Sequence, residues 1–144
     1  AVLPHMMERR RGRIINIASV AAWRTGFVGG SPYTTAKAGL LGLTRHLALE
    51  VLNYGITVNA ILPTGRLTQA QRQAVGNDLE RAMGRLAGAD PGMNDPEDVG
   101  HLVVYLCTED ARQINGAAIP VDGGASVTVG NFHSYRTRSG KDAG

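Results

Sequence analysis

Arg13 to Ala18 (RIINIA) is a short run rich in β-branched residues, and it predicts a strand. Ile56 to Leu62 (ITVNAIL) and Gly116 to Val121 predict two more. Between the first two, Pro32 to Asn53 places Ala36, Leu40, Leu43, Leu47 and Val51 at helical spacing. Leu41, Ala48 and Leu52 form a second stripe on another face. A helix apolar on two faces is expected to pack on its own sheet and on a second partner, which points to a subunit interface. Asp95-Pro96-Glu97-Asp98 is a helix start: an Asp cap, proline at the first helical position and acids in the first turn. That helix is expected to run to about Thr108.

Polar and glycine-bearing stretches separate these elements. Ser19 to Pro32 reads as a loop, Gly55 ends the long helix, and Pro63-Thr64-Gly65 breaks the second strand. Thr68 to Ala87 is helical in pattern but polar and weakly amphipathic, and Ala89 to Asp95 reads as a loop. At the start, Val2, Leu3, Met6 and Met7 fit the last turns of a helix, with Pro4 suited to a first turn. Arg9, Arg10 and Arg11 stabilise the negative end of its dipole, and Gly12 suits a left-handed position past it. This favours a helix C-terminus over an anion-binding patch. Asp122-Gly123-Gly124 closes the third strand, and beyond Val129 the chain is polar, aperiodic and expected to be disordered. The domain is therefore read as residues 1–129, with 130–144 as a tail.

Alternation of strands and helices implies parallel strands joined by right-handed crossovers, in a doubly wound α/β arrangement. A parallel sheet needs cover on both faces, and so few strands make a small one. The expectation is the C-terminal part of such a fold, with an N-terminal half missing ahead of Ala1.

Composition changes this picture little. The chain of 144 residues is 43% hydrophobic and 19% charged, as in ordinary globular domains. A net charge of +3 does not point to nucleic acid. No apolar run approaches a membrane span, and the first residues do not read as a signal peptide, so a soluble cytoplasmic protein is expected. Cys107 is the single cysteine, which excludes an intrachain disulfide, and the scattered histidines give no metal-ligand spacing. No metal site is expected.

Candidate chemistry sits at the start of the long helix. Tyr33 and Lys37 are four residues apart and project from one face. A free phenol is a poor acid or base at neutral pH, but a nearby ammonium and a helix N-terminus both favour its charged form. The Ser19 hydroxyl, at the end of the preceding strand, supplies a donor for a substrate oxygen. Together they make a plausible acid–base constellation. Taken alone, the Tyr-to-Lys spacing is common and often marks only a solvated helix face.

The surroundings are more specific. GRIINIAS (Gly12–Ser19), YTTAKAGLLGLTRHLALE (Tyr33–Glu50), YGITVNAILP (Tyr54–Pro63), DPEDVGHLVVYL (Asp95–Leu106) and INGAAIPVDGG (Ile114–Gly124) occur in this order. The chain in these stretches resembles the catalytic half of the classical short-chain dehydrogenase/reductases, the 3-oxoacyl-acyl-carrier-protein reductases among them. The resemblance implies a Rossmann-like fold and an NAD(P)-dependent interconversion of a carbonyl and an alcohol. It implies that Tyr33 is the catalytic tyrosine, that Ser19 orients the substrate carbonyl, and that Lys37 assists Tyr33 and binds the nicotinamide ribose. Pro63, Thr64, Gly65, Arg66 and Thr68 match the turn that faces the cofactor, NAD or NADP. An enoyl-reducing branch fits less well, because it spaces its tyrosine and lysine further apart.

Three departures accompany the match. Thr64 stands where the family has glycine, with Gly65 one place later. The Ser19-to-Tyr33 interval is one residue longer than usual. The glycine-rich phosphate loop is absent, since no strand–glycine turn–helix occurs here. An alternative reading is therefore a truncated, non-catalytic fragment acting at most as an oligomerisation module through Pro32–Asn53. Elsewhere Cys107 reads as a core residue, Trp23 as pocket wall or packing, His46 and His101 as plain helix residues, and Asn59 as a strand-to-loop bond.

Overall fold

The computed structural model describes residues 1–24, 30–64 and 95–127. It contains a parallel sheet of three strands in the order β1-β2-β3: β1 (Gly12–Ile17), β2 (Ile56–Pro63) and β3 (Ala118–Val121). Gly12 pairs with Ile56 and Ile17 with Ile61 across β1 and β2, while Ala60 to Pro63 pair with Ala118 to Val121 across β2 and β3. The helices are α1 (Leu3–Glu8), α2 (Gly30–Glu50) and α3 (Pro96–Leu106).

The alternation of a strand decides what each residue of β2 touches. Ile56, Val58, Ala60 and Leu62 share one face with Leu41, Ala48 and Val51 of the α2 side, and Leu3, Met6 and Met7 of α1 pack there too. Ile61 points the other way, into Leu106 and Ala111, with Val99, Leu102 and Val103 of α3 around it. Both faces of the sheet are thus covered, as a parallel sheet requires, and β2 is buried along almost its whole length. Val58, Ile61 and Leu62 are 0% exposed, each such side chain contributing about 1.5–3 kcal/mol by leaving water.

Two asparagines, Asn59 buried and Asn115 half-buried, hold the third strand to the second. Asn59 Nδ2 donates to the Ile114 carbonyl at 2.7 Å, and its Oδ1 accepts from the Ala117 amide at 3.0 Å. Asn115 Oδ1 accepts from the Val58 amide at 2.8 Å. Asn59 is therefore the strand-to-loop bond expected of it. α3 starts as read, with Pro96 in its first turn and Asp98 Oδ2 accepting from the Asp95 amide at 3.1 Å.

Several expectations need correction. The two apolar stripes of α2 do not divide one covered face from another: Leu41 and Ala48 of the second lie buried on the sheet, whereas Leu43 and Ala36 of the first are exposed. The cause is the phase of the helix: Leu41, Thr44, Ala48 and Val51 recur every three or four residues and form the true inward row. Thr44 tolerates burial because its Oγ1 donates to the Leu40 carbonyl at 2.7 Å and accepts from Asn16 Nδ2 at 2.9 Å. Gly12 is not the left-handed residue after α1. Arg10 holds that position at φ 50°, and Gly12 begins β1, where an added Cβ would collide with Met6. Cys107 is exposed at the end of α3 and is not a core residue. The expected helix at Thr68–Ala87, the loop at Ala89–Asp95 and the tail past Val129 fall on or run into stretches outside the described residues.

The arginine run behaves as a helix terminus. Arg9 Nε donates to the His5 carbonyl at 3.2 Å, and Arg10 reaches the Asn53 carbonyl at 2.6 Å. Arg11 and Arg13 both pair with Glu109, at 3.7 and 3.3 Å.

Candidate active site

All three strands run the same way, so their carboxyl ends gather at one edge of the sheet. Ligands of open α/β sheets bind at this edge. The segments leaving it begin at Ala18 after β1, at Thr64 after β2 and at Asp122 after β3.

Ser19 follows β1 in extended backbone, φ −167° and ψ 154°, and caps a short 3-10 turn, Val20–Ala22. Its Oγ accepts from the Ala21 amide at 3.2 Å and its carbonyl from the Ala22 amide at 3.0 Å. The bond to Ala21 occupies a lone pair of the hydroxyl and leaves its proton for another acceptor. Ser19 is buried, so the group is oriented rather than free to rotate away.

Tyr33 lies in the first turn of α2 and Lys37 one turn later. Lys37 Nζ donates to the Ile17 carbonyl at 2.8 Å and stands 5.8 Å from the centroid of the Tyr33 ring. One ammonium thus connects the start of α2 to the last residue of β1, two residues before Ser19. The structure brings Lys37 together with both the Tyr33 ring and the strand end that carries Ser19. Tyr33 itself is 40% exposed, as a group that meets a ligand should be.

Pro63 ends β2 half-buried, and Thr64 after it is buried. They lie at the same sheet edge. Gly65, Arg66 and Thr68 lie outside the described residues.

The third exit is organised by a residue that sequence reading passed over. The carboxylate of Asp122 accepts from the Gly124 amide at 2.9 Å and from the Ser126 amide at 2.8 Å. Burial pushes its pKa up, but hydrogen bonds from the Ser126 side chain and from these two amides outweigh it, holding the carboxyl below its ordinary value. Gly123 and Gly124 take φ of 57° and 86°, which bends the backbone round the carboxylate. The Asp-Gly-Gly signal marked the turn in the sequence, but not the carboxylate as its centre.

Trp23, half exposed, ends the 3-10 turn after Ser19. His46 is exposed and pairs with Glu50 at 3.2 Å, as a plain helix residue does. Among the described residues no group of His, Cys, Asp or Glu could hold a metal ion.

The chain matches known proteins over most of its length. The family model described as enoyl-(acyl carrier protein) reductase matches residues 1–126. The FabG 3-oxoacyl-(acyl-carrier-protein) reductase of Pseudomonas aeruginosa is 41% identical over 131 residues, covering 86% of this chain and 49% of that protein. Oxidoreductase UcpA of Salmonella typhimurium is 36% identical over 140 residues, covering 90% of this chain and 53% of that protein. The crystal structure of levodione reductase superposes with a TM-score of 0.74 at 31% identity, covering 89% of this chain and 52% of that one.

The chain belongs to the short-chain dehydrogenase/reductase family. Its fold is the Rossmann-like parallel sheet of that family, and the relatives named above are oxidoreductases. The chain spans about half the length of the curated relatives it matches.

Proposed function

We propose that this chain carries the proton-transfer side of an NAD(P)-dependent oxidoreductase that interconverts a carbonyl and an alcohol. The observation that carries the reading is the position of Lys37, bonded to Ile17 at the end of β1 and 5.8 Å from the Tyr33 ring. That contact supports reading Ser19, Tyr33 and Lys37 as one site.

The residues present suit a nicotinamide cofactor. Lys37 is an ammonium with donors to spare beyond the one spent on Ile17, and it stands beside an exposed phenol at the ligand-binding edge of the sheet. Tyr33, Lys37, Pro63 and Thr64 would hold the nicotinamide end of NAD or NADP, with Gly65, Arg66 and Thr68 continuing that turn in sequence. The cofactor, when bound, supplies or accepts the hydride. The chain's own residues do the rest. In the reducing direction the Tyr33 hydroxyl gives its proton to the substrate oxygen, and in the oxidising direction it takes that proton back. Ser19 donates to the same oxygen, and Lys37 places positive charge where the phenolate forms.

The substrate is a small carbonyl compound or alcohol, and the setting is the cytoplasm, where an exposed thiol such as Cys107 stays reduced. Among the described residues no helix is long and apolar enough to cross a membrane. Assembly is homo-oligomeric, through the outer face of α2 and the turn after it, where Leu43, Leu49 and Leu52 are more than half exposed. Leu52→Glu should lower the assembly state in size-exclusion chromatography without unfolding the protein.

The reaction class is tested by following NADH and NADPH oxidation by the full-length protein with 3-oxoacyl thioesters, small ketones and enoyl thioesters. Turnover of carbonyl compounds is expected. Turnover of enoyl thioesters alone would overturn the reading.

A further inference from the structure

The strand exits on either side of β2 are joined by a side chain that the chemistry above does not use. Arg24 Nη1 donates to the carbonyl of Ala125 at 2.6 Å, across 101 positions of sequence. Its own amide bonds to the Val20 carbonyl at 2.9 Å, so Arg24 is anchored to the 3-10 turn that Ser19 caps. Ala125 begins the 3-10 turn after β3, whose amides are gathered by Asp122. β1 and β3 are the outer strands and do not touch, lying about 10 Å apart at ordinary strand spacing. A long side chain with a forked head can span that gap, and a charged donor to a carbonyl makes one of the stronger kinds of hydrogen bond.

Each turn is ordered by its own side chain, Ser19 on one side and Asp122 on the other. Neither local network fixes one turn relative to the other. The Arg24–Ala125 bond is a link between them among the described residues. Without it, the Ser19 turn is held at β1 and by its packing on α2, through Val20, Ala22 and Leu40.

We infer that Arg24 is a positioning residue: it clips the Ser19 turn to the turn after β3 and so fixes where the Ser19 hydroxyl meets the substrate oxygen. The inference rests on the proposed reaction for its catalytic consequence, but the clip itself is a structural claim that can be tested separately. Among the described residues no hydrogen bond or ion pair joins Arg24 to Tyr33, Lys37, Pro63 or Thr64, so its loss should spare cofactor binding.

The test uses the full-length protein and the variants Arg24→Ala and Arg24→Lys. In Arg24→Ala, hydrogen exchange at the amides of Ala22, Trp23, Ala125 and Ser126 should rise about tenfold, in both turns together. The same variant should lose about tenfold in kcat/KM for the carbonyl substrate with the dissociation constants for NADH and NADPH unchanged. Arg24→Lys keeps a cationic donor and should recover most of both effects. Exchange that rises in the Ser19 turn alone, or in neither, overturns the clip whatever the activity. Raised exchange in both turns with unchanged kcat/KM, or with cofactor binding weakened in proportion, overturns the positioning role. If wild-type protein turns over no carbonyl compound, the proposed reaction fails, and the exchange result still decides the clip.

Discussion

The two ends of the parallel sheet use polar residues in opposite ways. At the amino end, charge is spent on the fold. Arg10 closes on the Asn53 carbonyl, Arg13 reaches the Gly55 carbonyl and Glu109, and Gly55 at φ 66° lets the Arg10 carbonyl approach where a Cβ could not fit. At the carboxyl end, the polar groups are held but not used up. Ser19 keeps a proton to donate, Lys37 among the described residues bonds the Ile17 carbonyl, and Tyr33 is partly exposed. At the first end the arginines bond to the protein itself, with the buried Arg13 Nε an exception that finds no partner, whereas the polar groups at the second are oriented by the protein for something else. Substitutions at the two ends should therefore separate stability from activity.

The largest stability effect is expected within the scaffold that supports both ends. Asn59→Ala removes two hydrogen bonds and leaves the Ile114 carbonyl and the Ala117 amide without their partner, at a cost of about 2–3 kcal/mol. Urea denaturation should show this loss with the slope unchanged, and turnover per folded molecule should hold. A variant that kept its stability but lost turnover would mean that Asn59 acts at the site, and the contrast between the ends would blur.

A smaller effect is expected at Asp122, because its carboxylate orders a single turn. Its pKa is lower in the folded chain than in the unfolded one, so its stabilisation is complete above the unfolded value of about 3.9. That stabilisation fades as pH falls through the folded value. Asp122→Asn should cost about 1 kcal/mol at neutral pH, and the gap to wild type should close in acid. A gap that persisted or widened in acid would assign the effect to packing instead.

Much of this contrast could be read from the sequence, but unevenly. The strands were legible because β-branched runs between glycine and proline signals permit few other readings, and β1 and β2 fall within a residue of expectation. Tyr33 and Lys37 stood out because a helix puts residues four apart on one face and because the stretches around them resemble a known family; the spacing alone would not have singled them out. The inward face of α2 was misread because Thr44, a polar residue, holds a core position by bonding Leu40 and Asn16, which pattern counting scores as outside. Cys107 was misread for a related reason: an apolar helix end does not reveal where burial stops. Arg24 and Asp122 were passed over because their partners, Ala125 and the Gly124 and Ser126 amides, are backbone groups that no side-chain motif announces.

The central claim, that Tyr33 moves the proton, is tested most directly by the turnover of Tyr33→Phe in the full-length protein, measured beside its binding of NADH and NADPH. The phenyl ring keeps the shape and removes only the hydroxyl. Turnover should fall by about 10²- to 10⁴-fold with cofactor binding largely retained. Turnover equal to wild type would contradict the account.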